Sequence, residues 1–178
     1  MTDLPEGVLN ESDEHWMEKA LDLAERAAEL NEVPVGALVV LDGRVIGEGW
    51  NQPISGCDPT AHAEILALRD AASRVGNYRL VGADLYVTIE PCSMCAGAIV
   101  HARIRRVVFG ASEPKAGVVC SQGSFFDQSW LNHRVLWQGG VLAQRCSDRI
   151  SEFFARRREQ KRLERELKRA AEDHSQGG

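Results

Sequence analysis

Apolar residues fall along this chain in two patterns, helically spaced and in short continuous runs, and each change of pattern marks an element. Met17, Ala20, Leu21, Ala24, Ala27 and Ala28 follow three-and-four spacing. That spacing predicts an amphipathic helix over about 14–30, with Ser12 or Asp13 as its cap. Residues 35–41 form a nearly continuous, valine-rich apolar run, too short for a helix. Asp42-Gly43 links it to a second run over 44–49, and an Asp-Gly pair between β-forming runs predicts a hairpin, because both positions take positive φ. Residues 51–59, with two prolines and a glycine, read as a loop.

Asp58-Pro59-Thr60 predicts the start of a second helix, with Asp or Thr as cap and proline in the first turn, running to about 75 and stopped by Gly76-Asn77. A strand over 85–89, a helix from Pro91 to about 102 and a strand over 106–110 follow. Residues 112–134 read as irregular, 135–137 as a last short strand, and about 142–170 as one long helix. This order, a helix and hairpin followed by alternating strands and helices, predicts a mixed sheet of about five strands with helices on both faces. The expected architecture is a single three-layer α/β/α domain with a long C-terminal helix.

Composition narrows the class. A chain of 178 residues, 44% of them apolar, supports one domain with a sizeable core. Five cysteines are too few for a disulfide scaffold and read as reduced thiols or metal ligands. The N-terminus is acidic without a secretory pattern, and no apolar run approaches the ~20 residues of a membrane span. A cytoplasmic protein is expected. The net charge of −5 argues at first against a nucleic-acid partner, but it is unevenly laid out. Residues 1–32 carry ten acids and two bases, residues 33–148 balance, and residues 149–169 carry nine bases and four acids. A phosphate-rich partner would engage the C-terminal part or local basic positions.

The reactive side chains sit at two predicted helix starts, Thr60-Ala61-His62-Ala63-Glu64 and Glu90-Pro91-Cys92-Ser93-Met94-Cys95. Cys92 and Cys95, three apart on a helix, present both sulfurs to one side, and the positive helix end favours their thiolates. One imidazole and two thiolates make three zinc ligands and leave the fourth tetrahedral position open, as a catalytic zinc requires. A Cys-x-x-Cys alone also fits a redox pair or half of a structural zinc knot, and a lone histidine is usually a surface or packed residue. Cys57, Cys120 and Cys146 read as small buried apolar residues. His15, His101, His133 and His174 bear no spacing relation to the pair. Glu64 tips the balance, since it is too close to His62 to be a convenient fourth ligand yet well placed to touch a metal-bound water.

The composite of His-Ala-Glu, 26 intervening residues and Pro-Cys-Ser-Met-Cys is more specific than any of its parts. It resembles the signature of the zinc-dependent nucleoside and nucleobase deaminases. The likeness is closest to the bacterial tRNA-specific adenosine deaminases, through residues 33–37, 47–51, 58–64, 85–99, 106–111 and 132–135, and it runs from about 14 to 158. It implies a cytidine-deaminase-like fold over 1–158, followed by a charged helical extension and a disordered end over 159–178. It further implies a homodimer, a tRNA anticodon stem-loop as partner, and conversion of the wobble adenosine of an arginine tRNA to inosine, with no membrane or organic cofactor. Carried over by position, His62, Cys92 and Cys95 are the zinc ligands. Glu64 is the catalytic proton carrier, relaying a proton to ring nitrogen 1 and then assisting the departure of ammonia. Asn51 and Ala63 hold the flipped base. Lys115, outside the matching segments, reads either as a phosphate contact or as a solvated loop lysine. The family's usual aspartate in the loop after residue 111 is here Glu113, one methylene longer. Phe153-Phe154 with the following arginines, Arg157 among them, resembles the family's anticodon-stem contact.

Beyond Arg158, the stripe Lys161, Arg162, Arg165, Lys168 and Arg169 reads as a solvated helix laced by Glu164–Lys168 and Glu152–Arg156 pairs rather than as an RNA-binding arm. Two rival functions are a zinc deaminase of a free nucleobase or nucleoside and a non-catalytic zinc module that binds RNA. The Phe-Phe-basic segment disfavours the first, because a small substrate needs no basic helix. Glu64 disfavours the second, because a structural zinc has no use for a carboxylate beside its water.

Overall fold

The computed structural model describes residues 11–175, with side chains placed over 13–169. Ser12, the other possible cap, falls inside the first helix rather than before it, and the chain end after 175 lies outside the described residues. Helix α1 (Glu11–Glu29) leads into the hairpin β1 (Gly36–Leu41) and β2 (Arg44–Trp50). Then come α2 (Ala63–Val75), β3 (Asp84–Ile89), α3 (Ser93–His101) and β4 (Arg106–Ala111). A single 3-10 turn (Phe125–Asp127), β5 (Leu136–Gln138) and α4 (Ala143–Ser175) complete the chain. The sheet order is β2-β1-β3-β4-β5, with β1 antiparallel to both neighbours and β3, β4 and β5 parallel. The hairpin turn has φ of 50° at Asp42 and 71° at Gly43, the positive pair expected of Asp-Gly.

Strand period two sorts the core into two layers. Ala37 and Val39 of β1, Leu85 and Val87 of β3, and Val107 and Phe109 of β4 pack with Ala63, Ala67, Leu68, Ala96 and Ile99 of α2 and α3. The alternate residues Leu38, Val40, Tyr86 and Val108 pack with Met17, Ala20 and Leu21 of α1 and Cys146 of α4. A sheet buried on both faces explains why its strands read as continuous apolar runs.

Three expectations need correction. Asp13 lies inside α1 rather than capping it, and its carboxylate is buried against Tyr86 and Arg106. Helix α2 begins at Ala63, not at Asp58. Asp58 Oδ1 instead accepts hydrogen bonds from the amide and hydroxyl of Thr60, closing a turn that competes with a helical start. Of the three cysteines read as buried, only Cys146 is; Cys57 and Cys120 are exposed.

Candidate zinc centre

Four chain segments meet at one end of the sheet. The end of β2 leads to Asn51, whose amide bonds Val35 O before β1, and the end of β3 leads to Glu90, whose amide bonds Ala111 O at the end of β4. Helices α2 and α3 start here, with His62 and Cys92 as their N-cap residues in extended conformation. Neither cap donates or accepts through its side chain in the capping sense, so both side chains are free to converge. Asn51 supplies what His62 does not, its buried Oδ1 accepting the Ala63 amide at 2.9 Å.

His62 Nδ1 lies 3.7 Å from Cys92 Sγ and 3.6 Å from Cys95 Sγ, and the three donor atoms fall within 4.8 Å of one another. Tetrahedral zinc with ordinary Zn–N and Zn–S bonds would separate nitrogen from sulfur by about 3.6 Å, so the donor set fits zinc in chemistry and in spacing. Among the described residues no other histidine, cysteine or carboxylate joins this group, which leaves the fourth position open.

The donors shift one another's protonation in opposite directions, the Cys95 thiol being pushed up chiefly by its hydrogen bond to Cys92. The hydrogen bond from Cys95 lowers the Cys92 thiol to about 3, with His62 reinforcing it against the opposing effect of burial. The His62 imidazole is raised, chiefly by its hydrogen bond to Cys92. Glu64, buried on the first turn of α2, has its carboxyl pushed above the usual range chiefly by desolvation.

Glu90 is a feature that motif reading missed. It is only 2% exposed, yet its carboxylate accepts the amides of Glu113, Cys120 and Ser121 at 3.1, 2.8 and 2.9 Å, and the Ser121 hydroxyl. The loop after β4 is therefore wrapped around this one side chain. Gly117 pairs with Cys92 in an isolated bridge, and any Cβ on Gly117 would lie 2.4 Å from Glu90 Cδ. An acid directly before Pro-Cys is the signal that could have marked it.

The remaining predicted residues gather around that loop. Glu113 Oε1 accepts the Lys115 amide, and Lys115 lines a 420 Å³ hollow with Ile150, Ser151, Phe154 and Arg158 of α4. Phe153 is buried, whereas Phe154 is 44% exposed. Arg157 turns inward, donating to Asn31 O at 3.3 Å and covering the Phe153 ring. Arg158, one of the arginines of the Phe-Phe-basic segment, lines the same hollow as Lys115.

A three-layer sheet with an open His-Cys-Cys group beside a buried glutamate defines a zinc-dependent deaminase. The chain belongs to the cytidine and deoxycytidylate deaminase family, whose zinc-binding region matches residues 10–111. A tRNA-specific adenosine deaminase of Haemophilus influenzae is 53% identical over 167 residues, spanning 93% of this chain and 96% of its own length. One of Agrobacterium fabrum is 47% identical over 144 residues, spanning 81% and 95%. A solved structure from work on A-to-I editing by tRNA:A34 deaminases at the wobble position matches with TM-score 0.74 and 48% identity, covering 76% of this chain and 98% of that one. Within the family, the chain is a member of the tRNA-specific adenosine deaminase group.

Proposed function

We propose that this protein hydrolytically deaminates adenosine to inosine at the wobble position of a tRNA anticodon, with an arginine tRNA as the expected substrate. The convergence of His62, Cys92 and Cys95 beside the buried Glu64 carries this reading, and the relatives' names direct it to tRNA. His62, Cys92 and Cys95 would hold the zinc, which supplies Lewis acidity and brings the ionisation of water near neutral pH. Glu64 moves the protons. Its desolvated carboxylate takes one from the attacking water and delivers it to ring nitrogen 1, then takes the second from the added hydroxyl and passes it to the departing amine, so that water is consumed and ammonia released. Asn51, anchored by the Ala63 amide, orients the base at the mouth of the site. Glu113, Lys115 and Phe154 border the path of the RNA beside it, and Arg157 braces Phe153 behind Phe154.

A homodimer is part of this proposal. An apolar cleft of 420 Å³ between α2 and α3, lined by Ile65, Leu68, Met94 and Ala98 with the exposed Tyr78, offers a surface that a second copy would cover. No helix among the described residues is long and apolar enough to cross a membrane, and a tRNA substrate would place the enzyme in the cytoplasm.

Incubation of the zinc-loaded protein with arginine tRNA and with free nucleosides, followed by mass spectrometry of the digested RNA, tests the activity. Inosine confined to the wobble position is the expected result. Deamination of free guanine or cytosine without inosine in tRNA would overturn it. Light scattering at micromolar concentration should give twice the 19.6 kDa chain mass, and a monomer would remove the dimer from the proposal.

A further inference from the structure

The distal half of α4 presents a basic face that no carboxylate among the described residues pairs with. At 100° per residue, Arg158, Lys161, Arg165, Lys168 and Arg169 fall within roughly 100° of one another, on the side of the helix that Phe154 also occupies. All five are exposed. The expected Glu164–Lys168 and Glu152–Arg156 pairs do not form. The ion pairs in this stretch instead join Arg162 to Glu159 and Glu166, on the neighbouring face. None of the five forms an ion pair with a carboxylate among the described residues. Arg165 is the extreme case, because its helical neighbours at three and four residues are Arg162, Lys168, Lys161 and Arg169. Like charges at these spacings destabilise a helix unless an anion lies against them.

The face is also placed where an anion would be. It begins at the hollow that Arg158 lines together with Lys115, on the loop held by Glu90 next to the zinc centre, and it runs outward for about 22 Å from Phe154 to Arg169. The chain is otherwise acidic, with a net charge of −5, so a polyanion approaching the site would be repelled elsewhere and drawn along this helix. We propose that Lys161, Arg165 and Lys168 bind the phosphate backbone of the substrate RNA beyond the nucleotides that enter the site. The helix thus serves as a guide rail that adds affinity but no chemistry. The identity of the RNA rests on the function proposed above; the stripe and its charge complementarity do not.

The test compares the full zinc-loaded chain with the triple variant Lys161→Gln, Arg165→Gln, Lys168→Gln, which keeps good helix formers throughout. Binding of a full-length tRNA is measured from low salt to 1 M, together with single-turnover deamination of its isolated anticodon stem-loop at saturating protein. Three lost phosphate contacts should reduce the slope of log Kd against log salt by about two units. That corresponds to binding weaker by about 100-fold at 0.1 M salt, with the two curves meeting near 1 M. The rate on the stem-loop should stay within about two-fold of wild type, and circular dichroism should show the helix intact. Arg162→Gln, which removes an already paired charge, should leave the slope unchanged. Equal slopes for wild type and triple variant would overturn the proposal, as would an equal loss from Arg162→Gln, since that would report net charge alone. Absence of inosine from wild type on either RNA would count against the proposed activity, while the salt slopes would still decide whether the stripe binds RNA.

Discussion

Glu64 and Cys92 lie at the same end of the sheet but answer to different measurements. Removing a thiolate from a three-donor site leaves two, so Cys92→Ala should lose its zinc by elemental analysis, and full zinc in that variant would show that Cys92 is not a ligand. Glu64→Ala should keep its zinc and its fold while turnover falls by ~10²–10⁴-fold, the usual contribution of a general acid–base group. Retention of a third of the activity would remove Glu64 from proton transfer. Glu90 acts on the same site through the loop. In Glu90→Gln one carboxylate oxygen becomes a donor facing amides of the loop, leaving at least one loop N–H without its charged acceptor at a cost of about 1–3 kcal/mol. Faster hydrogen exchange at Glu113, Cys120 and Ser121, with KM for tRNA rising more than kcat falls, is expected. Unchanged exchange would mean that the loop holds its shape without Glu90.

At the scale of elements, the position of His62 depends on how closely α2 lies against β2. Gly49 makes that approach possible, because a Cβ there would sit 2.3 Å from Ala63 O and 2.4 Å from Ala67 N, both backbone atoms of α2. Backbone cannot yield as a flexible side chain can, so Gly49→Ala must push away the first turn of α2 and carry His62 with it. The expected result is a loss of about 1–3 kcal/mol in urea unfolding together with weaker zinc binding. Loss of stability with zinc affinity intact would show that the helix start is held by the Asn51 bond to Ala63 rather than by its contact with the strand.

Across the whole molecule, a polar network ties α1 to the centre of the sheet. Asp13 of α1, buried at 2% exposure, accepts from Tyr86 Oη of β3 at 2.8 Å and from Arg106 of β4 at 2.5 Å. Burial, then the bond to Asp13, raises the Tyr86 phenol well above its ordinary 10.0. The folded chain therefore keeps this proton at pH values where the unfolded chain has released it. The resulting stability is fully present below pH 10.0 and is lost as pH rises beyond it, towards the raised folded value. Tyr86→Phe should cost about 1–3 kcal/mol at neutral pH, since it leaves a buried carboxylate short of a donor. The deficit should shrink as pH rises past 10.0. A constant gap at every pH would show that the phenol does not titrate differently in the two states.

Elements and the candidate metal donors were legible in the sequence because they rest on local chemistry. Three-and-four spacing marked α1, a short continuous apolar run marked β1, Asp42-Gly43 could only turn, and the donors came in two short clusters whose residue types suit zinc. What only the tertiary structure decided involves partners far apart in the chain. Glu90 finds its loop amides 23 to 31 residues away, and Asp13 finds Arg106 93 residues away. A buried acid looks the same in sequence whether it caps a helix, holds a loop or binds a metal; the distinction lies in which donors packing brings to it. The same holds for α2, where the Asp58 turn prevails and Asn51 supplies the cap from another strand. Likewise, a single residue step, about 100° around α4, separates Phe153 inside from Phe154 outside. Local preference sets which elements form, whereas the close approach of elements sets which buried polar groups are satisfied, and from that which side chains remain free for chemistry.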